Sequence, residues 1–222
     1  MRVDMKRILV LLSAAVLALG LVACKKSGYS SKISDVKSAL EETCHAEKAD
    51  GDQYEKMVDT KYQIAEVAED FKNGVYTEVR SKDCTFFGFH AVVDRSDVKS
   101  VFKYIKADPD TVGNDMVANM EVLVIQFSNG DAAQKYFTDI MESRKQTYMN
   151  NQALDLEIKD EFVEKKEYFA FASESGFITY NVYASIDGST VMYAFLEGPN
   201  SDSLKDEYLA FMKKMECSII TL

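Results

Sequence analysis

The chain has 222 residues, 47% of them apolar and 28% charged, with 36 acidic against 26 basic side chains and a formal net charge of −10 at neutral pH. That apolar share can build a packed core and excludes a disordered chain. The acidic balance argues against nucleic acid as a partner, because phosphate backbones would be repelled.

The first stretch, "MRVDMKRILVLLSAAVLALGLVACKK", sets Lys6 and Arg7 before an apolar run over 8–19, then Gly20, then Leu21-Val22-Ala23-Cys24. A basic start, a short apolar run and small residues before a cleavage point describe a secretory signal peptide. A membrane span needs about 20 apolar residues. Asp4 is unusual in such a basic region, and Met5 is the expected start.

The Leu-Val-Ala-Cys ending resembles the lipobox of bacterial lipoproteins, over the first 24 residues only. The resemblance implies that Cys24 carries a thioether-linked diacylglycerol, becomes the mature N-terminus, and holds the protein on the extracytoplasmic face of the cell membrane. Two acyl chains anchor durably where one is marginal, at roughly 0.8 kcal/mol per buried methylene. Loss of a leader over 1–23 leaves 199 of the 222 residues and removes Arg2, Lys6 and Arg7 against Asp4, which moves the net charge from −10 to −12. Three cysteines then remain, Cys44, Cys84 and Cys217; their odd number allows at most one intramolecular disulfide, and spacing does not choose the pair.

Residues 24–32 read as a flexible tether, "CKKSGYSSK", before an α+β domain over 33–222. Ile33, Val36 and Leu40 have helical spacing, with Ser34 as the expected N-cap, so a helix is predicted over 35–46. "KADGDQ" is a loop, and a mostly helical stretch over 54–71 completes a helical N-terminal part over 33–73. "VYTEVR" alternates as a strand, whereas "CTFFGFHAVVDR" is apolar on both parities and fits a buried strand or a short helix. Val98, Val101, Phe102 and Ile105 allow a helix, but the β-branched and aromatic residues over 100–106 favour a strand that pairs with 120–127 as a hairpin around "ADPDTVGND".

A helix follows, in which Ala133, Tyr136, Phe137, Ile140 and Met141 share one face. "EFVEKKEYFAFAS", "FITYNVYASI" and "STVMYAFLEG" then form a three-strand meander with turns at "ESG" and Asp187-Gly188. The last helix, capped by Ser201 or Ser203, aligns Leu204, Tyr208, Phe211, Met212 and Met215. This order predicts an antiparallel sheet with helices packed on one face. The pattern of a helix after a "VIQF"-like strand and a hairpin before the last helix resembles small, uncharacterised lipoproteins of Gram-positive bacteria, a resemblance that brings no activity with it.

Chemistry-bearing motifs are few. The pentapeptide "SDVKS" occurs at 34–38 and 96–100, with echoes "KADGD" and "KADPD". Ser34-x-x-Lys37 and Ser96-x-x-Lys99 have the spacing by which a lysine activates a serine in penicillin-binding proteins, but the Ser-x-Asn and Lys-Thr-Gly companions are missing. Cys44, His45, Cys84 and His90 lack the paired spacing of a zinc site, and the acidic loops "DGDQYE" and "DPDTVGND" do not match a calcium-binding loop with its terminal Glu. No cofactor or metal is expected, and no catalytic residue is assigned. The reading is a lipid-anchored accessory or binding protein of the bacterial envelope, with an envelope protein, a wall polymer or a small ligand as partner. The alternative is an envelope hydrolase or acyl-transfer enzyme without a recognisable motif.

Overall fold

A computed structural model of the chain describes residues 32–58, 62–80, 90–113, 116–153, 158–220 and 222. The expected leader, the Cys24 lipidation site and nearly all of the tether lie outside them, as do Cys84 and most of "CTFFGFHAVVDR".

The elements in chain order are α1 (Ile33–Thr43), β1 (Glu47–Lys48), α2 (Gly51–Val58), a 3-10 turn (Ile64–Glu66), α3 (Ala68–Phe71) and β2 (Val75–Arg80). After a second 3-10 turn (Arg95–Asp97) come β3 (Val98–Gly113), β4 (Met116–Phe127), α4 (Gly130–Ala153), β5 (Lys159–Glu164), β6 (Tyr168–Ser175), β7 (Ile178–Asp187), β8 (Thr190–Pro199) and α5 (Asp202–Lys214). The strands form one eight-stranded sheet in the order β1-β2-β3-β4-β8-β7-β6-β5. All neighbours are antiparallel except β1 and β2.

The α+β class, the antiparallel sheet and the N-terminal helix are as expected. The helices, however, occupy both faces of the sheet and not one. Strand residues alternate between faces, so Met192, Ala194 and Leu196 of β8 pack with α1 and α5 through Val36, Leu40, Leu204, Phe211 and Met212. Val191, Tyr193 and Phe195 of the same strand pack under α4, against Tyr136, Phe137 and Ile140. A smaller cluster on this second face joins Val75, Ile105, Ala107 and Val117 to α2 and α3. The runs in "NMEVLVIQF" and "STVMYAFLEG" are apolar on both parities because both faces are covered.

Four further expectations change. Helix α1 begins at Ile33 with Lys32 as its N-cap and no side-chain bond there; Ser34 donates to Asp35 at 3.2 Å, so it does not cap. The stretch over 54–71 is broken into α2, a 3-10 turn and α3. A two-residue strand, β1, adds in parallel to β2. "EFVEKKEYFAFAS" is two strands, β5 and β6, turning where the Lys165 amide donates to the Tyr168 carbonyl at 2.8 Å.

The hairpin of β3 with β4 forms as expected, and its register sets Ser100 opposite Gln126 and Lys106 opposite Met120. The second "SDVKS" opens that strand, after Asp94 accepts from the Ser96 amide, whereas the first lies inside α1. Ser201 accepts from the Leu204 amide at 3.3 Å and caps α5 as expected.

Two positions, one in a turn and one inside β8, depend on glycine for different reasons. Gly188 at φ +60 closes the β7–β8 hairpin with open space around it; Gly198 at φ +113 brings β8 so near β4 that a Cβ there would meet the Val117 carbonyl oxygen at 2.5 Å. Gly188→Ala should therefore cost about 1 kcal/mol and Gly198→Ala about 3 kcal/mol or more, since strain and a backbone clash add. Urea unfolding of the two variants checks that order.

Candidate functional site

The face under α4 is mostly apolar, apart from the Lys103–Glu121 pair and one polar line. Asn119, Glu197, Tyr180, Ser173 and Asp160 sit directly opposite one another across β4, β8, β7, β6 and β5, forming a polar row over five strands. Two residues further along each strand the row becomes Glu121, Phe195, Val182, Phe171 and Phe162, which is the floor beneath α4. The polar row thus marks where the α4 core ends.

Arg144 reaches this boundary from the middle of α4. On that helix Ala133, Tyr136, Phe137 and Ile140 are buried, and Arg144 follows one turn after Ile140, half-buried. Its Nε donates to the Tyr193 hydroxyl at 3.1 Å, and its guanidinium lies 5.3 Å from the centre of the Tyr180 ring. Burial pushes the Tyr193 hydroxyl upward, opposed by the charge of Arg144 and by hydrogen bonding with Tyr180.

Carboxylates and a lysine stand nearby. Lys103 pairs with Glu121 across β3 and β4 at 3.2 Å, with side chains only 14% and 19% exposed. Glu197 is raised above the usual carboxylate range by burial and by the charge of Glu121, against a hydrogen bond from Asn119 and the pull of Arg144. His90 packs its ring 4.7 Å from Tyr193 and 4.9 Å, edge-on, from Phe195. Burial lowers it to about 4, with Glu121 opposing and Arg144 and Lys103 adding to the shift. His90 is therefore neutral at neutral pH, and a base that weak is poorly matched to proton abstraction there.

A concavity of about 140 Å³ lies where β8 runs into α5, lined by Glu197, Asn200, Ser201 and Lys205 among others.

The residues singled out by sequence do not assemble here. Ser34 and Lys37 do not meet: Lys37 pairs with Glu78 at 3.8 Å and stands over the Tyr76 ring. Ser96 donates to Asp94 at 2.7 Å, and Lys99 is exposed. Cys44 is in the α1–α5 core and His90 is on the opposite face, so they cannot share an ion. Among the described residues no group of three or more His, Cys, Asp or Glu could hold a metal ion.

The acidic loops have local roles. Asp50 accepts from the Gln53 amide at 2.8 Å while Gln53 accepts from the Asp50 amide at 3.1 Å, a capping box for α2. Asp108 accepts from the Asp110 amide and, at 2.6 Å, from Ser201, tying the β3–β4 turn to the head of α5. Cys44 and Cys217 are free thiols. Burial raises both, Cys217 to about 12, so neither forms a thiolate readily.

Arg144, Tyr180, Tyr193 and Glu197 were not among the residues singled out by sequence. The signal was a charge on an otherwise apolar stripe: Arg144 continues the 133, 136, 137, 140 face of α4, and Glu197 continues the alternation of Tyr193 and Phe195.

No protein-family model matches the chain, and no curated protein matches it. Among solved structures it is similar to the extracellular domain of PknH from Mycobacterium tuberculosis, at 9% identity and a TM-score of 0.32, over 54% of this chain and 66% of that one.

The state of His90 makes stability depend on pH. The unfolded chain takes up a proton on His90 near pH 6.5 and the folded chain only near pH 4, so this residue contributes stability present above about pH 6.5 and lost as pH falls toward 4. At 1.36 kcal/mol per unit, and reduced because the ring is partly exposed, the contribution is about 2 kcal/mol. Urea unfolding at pH 7 and pH 4.5 should show that loss in the native chain and a smaller one in His90→Gln. Glu197 has the opposite sign, since its raised value removes stability as pH rises, but it acts in both proteins and cancels in the difference.

Proposed function

We propose that this chain is a lipid-anchored binding protein on the extracytoplasmic face of a bacterial membrane, attached through diacylglycerol on Cys24. The anchor rests on Leu21-Val22-Ala23-Cys24 after a short apolar run. The tether read from sequence over 24–32 would, as a flexible chain of that length, span about 15 Å and hold the domain close to the headgroups. No helix among the described residues is long and apolar enough to cross a membrane.

Binding, as distinct from catalysis, rests on one geometric observation. Arg144 offers its guanidinium at a half-exposed boundary with only its Nε engaged, beside a histidine whose basicity has been suppressed. Such a group recognises a ligand without transferring its protons.

Labelling cells with radioactive palmitate and separating membrane from soluble fractions tests the anchor. The native chain should carry label and pellet with membranes. Cys24→Ala should lose the label, and either appear in the soluble fraction or accumulate as the uncleaved precursor. A Cys24→Ala protein that stayed labelled and membrane-bound would overturn the proposal.

A further inference from the structure

We infer that Arg144 is the anchor of a site for a small ligand bearing a single carboxylate, gripped by the two terminal nitrogens of its guanidinium beside the ring of Tyr180. This rests on the reading of the chain as a binding protein and gives that reading a place and a ligand class.

The first argument is the missing partner. Two half-buried lysines of the β3 strand are each paired with a carboxylate: Lys103 has Glu121 at 3.2 Å and Lys106 has Glu207 at 2.6 Å. Arg144 has no carboxylate oxygen within 4.0 Å among the described residues, in a chain of 36 acids. Its Nε is taken by Tyr193 at 3.1 Å, and its terminal nitrogens are not among the buried atoms closed off from solvent without a partner. The planar fork of arginine matches a carboxylate with two parallel hydrogen bonds, and here that end of the fork is left for one.

The second argument is preorganisation. An arginine side chain carries about 2 kcal/mol of rotamer entropy, which binding a ligand would normally forfeit. In this chain the Tyr193 hydroxyl and the Tyr180 ring, 5.3 Å from the guanidinium carbon, already hold the group flat. The ordering has been done by the fold.

Charge and shape narrow the ligand. Glu197 and Glu121 both lie within electrostatic reach of the site, since each perturbs its neighbours there. A second negative charge on the ligand would meet them, so a monoanionic carboxylate fits where a phosphate dianion does not. The neighbouring partly exposed surfaces are the half-buried rings of Tyr180 and His90, with Tyr193 and Phe195 buried beneath His90. They suit a small apolar or aromatic body behind the carboxylate.

The test compares three ligands of one shape, benzoate, uncharged benzamide and dianionic phenyl phosphate, titrated into the full chain in detergent at near-neutral pH. The Arg144 Nε–H signal is followed by NMR. Benzoate should shift that signal saturably, with benzamide and phenyl phosphate each weaker by about tenfold or more. Arg144→Lys should weaken benzoate by about tenfold while unfolding at the same urea concentration as the native chain. The benzoate and benzamide comparison needs no variant, so it stands even if Arg144→Lys fails to fold.

Equal binding of benzoate and benzamide, or undiminished binding by a folded Arg144→Lys protein, would overturn the inference. Tighter binding of phenyl phosphate would overturn the single-carboxylate class yet leave a binding function at Arg144. Absence of any saturable shift with all three would remove the site and the binding half of the reading together. The anchor is read separately, from the palmitate label on Cys24.

Discussion

The pairing of β4 with β8 joins two halves of the chain that otherwise have little reason to meet. Strands β1 to β4 form one side of the sheet and β5 to β8 a meander on the other, and within the sheet this pairing, from Asn119 opposite Glu197 to Gln126 opposite Thr190, is what unites them. Its register decides which residues face α4 and which face α1 and α5. A slip of one residue would exchange Tyr193 and Phe195 for Met192, Ala194 and Leu196 on every layer at once. Gly198 pins the far end of that register, because β8 passes Val117 too closely for any side chain.

With the register set, the polar row follows. Each face is covered by helices only where the helices extend, and α4 crosses the face diagonally from the end of β4 toward β5, where Lys145 meets Glu164 at 2.8 Å and Gln152 meets Asp160. The polar row lies at the edge of that cover, where Asp160 meets Gln152 and Tyr180 meets Arg144, while Asn119 at its other end is buried. Partial burial then perturbs the groups at the boundary: it lowers His90 and raises Glu197 because each is denied some of the water its charged form needs.

Local structure was readable from the sequence where one periodicity dominated. The β3–β4 hairpin, the Asp187-Gly188 turn, the apolar faces of α4 and α5 and the Ser201 cap all correspond to patterns within a window of a dozen residues. What escaped was set by distant partners. That α4 lies on the opposite face from α5 depends on the crossing of the sheet between β5 and β8, which no local pattern encodes. β1 has two residues and exists only because Glu47 and Ala49 donate to the Gly74 and Tyr76 carbonyls. Ser34 looked like a cap because it precedes an apolar stripe, yet Ile33 is itself half-buried against the α1–α5 core and draws the helix two residues earlier. The candidate site joins α4, β7 and β8, so its members lie 36 to 53 positions from Arg144, at Tyr180, Tyr193 and Glu197. Only the breach of apolar periodicity at Arg144 could have drawn attention to it.

The charge of the whole domain and the charge at Arg144 have opposite signs, and the distance over which each acts reconciles them. At physiological ionic strength the Debye length is about 8 Å, so the net −10 of the chain acts weakly beyond its own surface. On the proposed tether of about 15 Å, that charge would keep the domain from lying flat on anionic headgroups without abolishing its approach to small anions. Close in, the partly dehydrated guanidinium of Arg144 outweighs the diffuse field, because attraction grows as distance and dielectric both fall. Glu121 pairs with Lys103 at 3.2 Å and Glu197 lies opposite Asn119, so neither is closed onto Arg144. Both still stand ready to repel a second negative charge. An acidic domain that binds as proposed would admit a single carboxylate at one point while turning phosphorylated surfaces away everywhere else.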